Sequence, residues 1–166
     1  MIIVLGFLTN SIIGQKKFKD LEKRVEILEQ DTVQPLDTLV IALIHVESRG
    51  KEDAIGDTHL GSPSVGVLQI RPIMVREINR ILKKKKSSKR FKLKDRFDRE
   101  KSIEMFTIWR EYYHDGDDYE KVARNWNGGP RGFKISATRK YWKKVKKQID
   151  EQRKSYLYED QSSRRI

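Results

Sequence analysis

The run PLDTLVIALIHVES, from Pro35 to Ser48, is the densest apolar stretch of the chain and constrains its fold more than any other feature. Leu36, Leu39, Val40, Leu43, Ile44 and Val46 are too closely spaced for a one-faced surface helix, so they predict a central helix buried on most sides, with Arg49-Gly50 as its stop. Glu47 falls near the end of that helix. A carboxylate with such neighbours is either salt-bridged, with Arg71 or Arg124 as candidate cations, or held partly desolvated. Desolvation raises a carboxyl pKa, and a glutamic acid still protonated near neutral pH can act as a general acid. His45, on the same run, reads as a hydrogen-bonded core residue rather than a ligand.

Around this helix the sequence predicts a mainly helical single domain, since 166 residues suit one compact unit better than two. Helical periodicity recurs at 72 to 82 (Val75, Ile78, Ile81, Leu82), at 102 to 113 (Ile103, Phe106, Trp109, Tyr113) and at 119 to 126 (Val122, Ala123, Trp126). A last helix starts near Ser136 and turns Tyr141, Val145 and Ile149 inward. Residues 50 to 66 read as an irregular loop, and VGVLQI after them as a small extended piece or a helix start. KKKKSSKRFKLKDR reads as a basic loop, and the chain from Ser155 as a fraying tail. The expected organisation is therefore residues 1–31, 32–154 and 155–166. In the first of these, MIIVLGFLTNSIIG suits a secretory h-region, a membrane-touching anchor or a buried segment, and Phe18, Leu21, Val25 and Leu28 mark an amphipathic helix.

Several chemistries drop out. With no cysteine there is no thiolate nucleophile and no disulfide, and the three histidines, at 45, 59 and 114, lack zinc-like spacing. Walker, GxGxxG, GxSxG and HExxH signatures are missing, so neither metal nor cofactor is expected. The net charge of +12 lies mostly in residues 83 to 101, with eleven Lys/Arg against three acids, and residues 131 to 154, with ten against two. Such segments attract polyanions of any kind, anionic cell-wall polymers and nucleic acid included, or are merely solvated faces. Phe91, Trp142 and the interleaved tyrosines keep a nucleic-acid module as a competing class. That class leaves Glu47, Gln69 and Asn127 unexplained, so no specific nucleic acid is expected as partner.

Four blocks in order carry a resemblance: Glu47-Ser48; Gly66-Val67-Leu68-Gln69-Ile70 followed by Pro72; Trp126-Asn127-Gly128-Gly129-Pro130; and Thr138-Arg139-Lys140-Tyr141. Together, over about residues 36 to 146, they resemble the catalytic domain of soluble lytic transglycosylases, relatives of goose-type lysozyme. The resemblance implies a lysozyme-like helical fold with a small extended β element at the cleft. It makes Glu47 the catalytic acid/base and Ser48 a neighbour placed to contact substrate. Gly66 would let backbone approach the sugar, and Gln69 would reach into the groove. Asn127 would hold substrate near the scissile bond, and Tyr141 would hydrogen-bond and orient the catalytic carboxylate. Trp126 replaces the family's tyrosine at the head of its block and reads as a stacked core indole. The family's middle block is echoed only by Ser102-Ile103, where Ser102 is expected to cap a helix.

The implied substrate is the bond from N-acetylmuramic acid to N-acetylglucosamine in peptidoglycan glycan strands, and the implied product carries a 1,6-anhydro ring. A single carboxylate suffices for that chemistry, whereas hydrolysis usually needs two. Asp53 and Asp57, in the loop after Glu47, keep a muramidase open as the alternative. Such a substrate implies the periplasm, cell envelope or extracellular space, or association with a virion. By analogy, small size and a basic tail suit a phage or mobile-element protein.

Overall fold

The computed structural model describes the backbone of residues 37–163 and the side chains of residues 37–155. The N-terminal apolar segment, the amphipathic stretch around Phe18 to Leu28, and Leu36 lie outside the described residues.

Five α-helices and one two-stranded sheet are present among the described residues. The central helix α1, Thr38–Ser48, opens on Asp37, whose side chain accepts the Leu39 amide proton at 2.7 Å and also an Arg110 Nη1 hydrogen bond at 2.5 Å. It closes on Arg49 in the left-handed region (φ 55). Leu39, Val40, Ala42, Leu43 and Ile44 are buried, while His45 and Arg49, one turn apart, are exposed. That exposure corrects the reading of His45, which is not a core residue.

The segment after α1 is more ordered than its Gly/Ser/Pro composition suggests. Strand β1, Ile55–Gly56, pairs antiparallel with β2, Ser64–Val65, in the register Ile55 with Val65 and Gly56 with Ser64. The chain then reverses at once, because Val65 and Ile70 form a further antiparallel bridge with Gln69 in the left-handed region (φ 49). Val67 and Leu68, at the tip of that reversal, are fully buried. VGVLQI is thus a tight hairpin whose tip is core.

Helix α2, Pro72–Lys84, starts with proline in its first turn, where the missing N–H is no loss, and buries Val75, Ile78, Ile81 and Leu82. Helix α3, Arg99–Tyr113, is capped by Asp98, which accepts from the Lys101 amide at 3.0 Å. Ser102 is therefore not the cap; it is buried in the first turn and donates to the Arg96 carbonyl at 2.9 Å. Tyr113, expected inward, is 45% exposed and donates to Glu77. Helix α4 is Tyr119–Gly128, and α5 is Thr138–Ser163. Val145 and Ile149 on α5 are buried where it packs on α1 and α4. Its backbone stays helical to Ser163, into the segment expected to fray, and i, i+4 ion pairs such as Lys146–Asp150 support the turns before it.

Part of the first basic segment is structural, although Lys83 to Lys86 are exposed. A 3₁₀ turn, Leu93–Phe97, interrupts it, and Arg96 is buried there with its guanidinium donating to the carbonyls of Leu93 (2.8 Å), Pro63 (3.2 Å) and Ile70 (3.0 Å). Phe91 is 5% exposed, and Asn79 bonds both its amide and its carbonyl, each at 2.8 Å. A ring so placed cannot stack on nucleic-acid bases, which removes one support of the polyanion module.

Candidate active site

The last turn of α1, the hairpin, the start of α2 and the end of α4 enclose a groove of about 580 Å³. Glu47 lines it, with Asp57, Gln69, Trp126 and Asn127. Among the described residues no cation pairs with Glu47: Arg124 is bound to Glu120 at 2.7 Å, and Arg71 donates to the Ser62 carbonyl at 3.3 Å. Of the two alternatives for this carboxylate, desolvation is the one realised. Burial pushes its pKa up from 4.5 to about 7, a hydrogen bond from Tyr141 pulls it back, and the negative charge of Asp57 pushes it up again. Near neutral pH the group is therefore divided between acid and carboxylate, the condition for donating a proton and later taking one back.

Tyr141 comes from the first turn of α5 and donates its hydroxyl proton to Glu47 Oε1 at 2.6 Å. Burial and the adjacent carboxylate hold its own pKa well above 10. It stays a donor across the ordinary pH range.

Other residues singled out from sequence do different work. Ser48 donates to the carbonyls of Ile44 (3.2 Å) and Val67 (2.9 Å) and accepts from the Gly50 amide (3.1 Å). Its hydroxyl ties the end of α1 to the hairpin tip, with its proton engaged there. Gly66 is buried and absent from the groove wall. What approaches it is the Arg96 carbonyl, 1.8 Å from where a Cβ would sit, and its φ is +78. The expected approach to sugar is thus an approach to the protein's own 3₁₀ turn. Gln69 does line the groove, yet its amide NH₂ donates to the carbonyls of Ala54 (3.2 Å) and Gly66 (2.9 Å), while Oε1 accepts from Ser64 (3.0 Å). One lone pair of Oε1 remains for a ligand.

Asn127 is exposed on the groove wall. Beside it Trp126 meets Phe106 and Trp109 edge-on at 5.0 and 5.1 Å and leaves one side to the groove, so it is a stacked indole and a wall at once. Asp57, held at φ 52, shares the groove with Glu47, whereas Asp53 is exposed and off its wall. Ile73 and Met74 also line the groove and were not singled out from sequence. The only signal was their place directly after Pro72, off the Val75–Ile78–Leu82 stripe. They also line a second cavity of about 570 Å³, together with Trp126 and Gly129, so a chain-like ligand crossing Glu47 has a continuous wall to follow.

Known proteins place this architecture. The family model described as Transglycosylase SLT domain matches residues 24–149. No curated protein matches significantly. Among solved structures, a chain of "Crystal structure of Aeromonas hydrophila PliI in complex with Meretrix lusoria lysozyme" aligns at 23% identity with a TM-score of 0.54, covering 67% of this chain and 88% of that one. At that identity the likeness speaks for the fold alone, which is lysozyme-like and mainly helical with one small sheet.

Proposed function

The chain belongs to the transglycosylase SLT domain family, and on that premise we propose that it cleaves the bond from N-acetylmuramic acid to N-acetylglucosamine in peptidoglycan and leaves a 1,6-anhydro end. Family membership supports lytic transglycosylase-type action on peptidoglycan. The observation that carries the finer reading is Glu47, desolvated by burial on the groove and without a cationic partner among the described residues, so that its pKa is pushed up to about 7.

Glu47 as acid delivers its proton to the glycosidic oxygen as that oxygen leaves the anomeric carbon. Positive charge then develops on the sugar. The carboxylate so formed accepts the proton of the sugar's own 6-hydroxyl, whose oxygen closes onto the anomeric carbon, and Glu47 returns to its starting state. Asn127 holds the sugar by its amide and Gln69 Oε1 accepts one further hydrogen bond, a reading supported by the position of both on the groove wall. The exposed run Lys83–Lys86 would add long-range attraction to anionic wall polymers. Such a substrate puts the protein at work in the periplasm, envelope or extracellular space, or on a virion.

The products decide the reaction. Mass spectrometry of soluble muropeptides from purified sacculi is expected to find ends lighter by one water and unchanged by borohydride. Reducible ends of full mass would favour a muramidase. The second carboxylate is then Asp57, the aspartate that shares the groove and raises the Glu47 pKa, and Asp57→Asn would abolish release.

Tyr141 acts through Glu47, as a positioning residue. Tyr141→Phe is expected to slow glycan release about ten- to a hundredfold, for loss of one charge-assisted hydrogen bond of about 1.5 to 3 kcal/mol. It should also move the alkaline limb of the pH–rate profile upward. The sign follows because the hydroxyl stabilises the ionised carboxylate, so its removal raises the pH at which Glu47 loses its proton. A limb that stays in place would reduce Tyr141 to packing.

A further inference from the structure

From Lys121 to Ile149 the chain holds ten Lys/Arg and no acid. Lys121, Arg124, Lys146 and Lys147 pair with Asp117, Glu120, Asp150 and Glu151. Arg131, Lys134, Arg139, Lys140, Lys143 and Lys144 are exposed and form no ion pair among the described residues. The four on α5 recur at i and i+4 and occupy the helix side opposite Tyr141, Val145 and Ile149. At the N-terminal end of that stripe two large apolar side chains are partly exposed, Phe133 at 41% and Ile135 at 44%.

Their backbone is pinned from beneath. The buried guanidinium of Arg124 donates to the carbonyls of Phe133 (2.6 Å) and Ile135 (3.2 Å), and Asn125 Oδ1 accepts the Phe133 amide proton at 2.8 Å. Gly132 packs against the Arg124 carbonyl so closely that a Cβ would come within 2.0 Å of it. The turn Gly132–Lys134 and Ile135 after it are thus fixed, with the Phe133 ring stacked on the Arg124 guanidinium at 4.6 Å and the rest of both apolar side chains left to solvent.

We propose that the loop 131–135 and the outer face of the first turns of α5 form a docking surface for an anionic lipid bilayer. Phe133 and Ile135 enter the interfacial region while the six cations meet the lipid phosphates. A soluble polyanion would satisfy the cations and leave the apolar pair in water. A second copy of this chain would set like charges against each other, over an apolar area far below the roughly 1,000 Å² of a stable protein interface. A bilayer offers the two chemistries together, acyl chains at the depth of an apolar tip and phosphate around it. The loop links α4, which carries Asn127, to α5, which carries Tyr141, so docking here would keep the groove close to the bilayer.

The test is co-sedimentation of the full chain with vesicles of phosphatidylcholine containing about a quarter phosphatidylglycerol, against pure phosphatidylcholine and against soluble polyphosphate. The wild-type chain should bind the anionic vesicles and not the neutral ones. Phe133→Ser with Ile135→Ser should lower partition about tenfold while leaving polyphosphate binding unchanged, and glutamine at 139, 140, 143 and 144 together should lower it about a hundredfold or more. Wild-type partition by the four-glutamine variant would assign binding to another part of the chain and overturn the proposal. So would polyphosphate binding as tight as vesicle binding with no effect of the serine pair, or no vesicle binding at all. Arg139, Lys140, Lys143 and Lys144 lie on an exposed helix face, so the test with all four changed to Gln stands even if the Phe133→Ser, Ile135→Ser variant does not fold. Sedimentation reads binding alone, and its failure leaves the glycan reaction untouched.

Discussion

Glu47→Gln is expected to abolish glycan release, by about a thousandfold or more, and at the same time to make the protein more stable at alkaline pH. The amide keeps the shape of the carboxyl and still accepts the Tyr141 hydrogen bond, but it cannot pass a proton. The stability change follows from linkage. The folded pKa of Glu47 is raised from 4.5 to about 7, so the native state binds more protons than the unfolded chain between those values. The wild-type protein therefore loses stability as pH rises through that window, by about 3 kcal/mol once above it, and below pH 4.5 this group contributes no difference. The variant carries no such penalty. Urea titrations at pH 5 and pH 8.5, with turbidity clearing of sacculi alongside, test both halves. Clearing at the wild-type rate would remove Glu47 from the chemistry, and equal stability of variant and wild type at pH 8.5 would show that the carboxyl is not desolvated.

Gly66→Ala is expected to be the most damaging small substitution in the domain, about 3 kcal/mol or more, enough to consume much of a typical stability of roughly 5 to 15 kcal/mol. Two penalties coincide there. An alanine would be forced to φ +78, and its methyl would overlap the Arg96 carbonyl, a backbone atom that cannot swing aside. The 3₁₀ turn would have to move, and with it the guanidinium of Arg96, which holds the hairpin through the carbonyls of Pro63 and Ile70. Gly61→Ala is the matched control, since nothing lies within 4 Å of its Cβ position, and should change stability by no more than about 0.5 kcal/mol. Thermal unfolding of the two variants reads the difference directly. A Gly66→Ala protein as stable as its control would mean that the turn yields freely.

The contrast between Glu47 and Gly66 shows what a sequence makes legible. Glu47 and Tyr141 could be read because both sit in periodic patterns, one ending the apolar run of α1 and the other in step with Val145 and Ile149, and because both fall in motifs of a known family. Their contact across 94 positions then came with the fold. Gly66, Ser48 and Gln69 stand in the same motifs, but their partners are carbonyl oxygens of Arg96, Val67 and Ala54. A carbonyl has no sequence signature, so the contacts by which these residues brace the groove are not legible in the motifs. Arg124 is an intermediate case. It was a candidate partner for Glu47, while its true partner Glu120, one helical turn back, stood in plain view as an i, i+4 pair.

The reach of Tyr141 to Glu47 has a consequence for synthesis. Glu47 belongs to the first described helix and its hydroxyl donor to the last, so ribosomal production passes through a long interval in which the acid exists and its partner does not. Until α5 has emerged and laid Val145 and Ile149 against the rest of the domain, neither the burial nor the hydrogen bond that tunes Glu47 is complete. A nascent or prematurely terminated chain that lacks α5 therefore lacks the tuned acid.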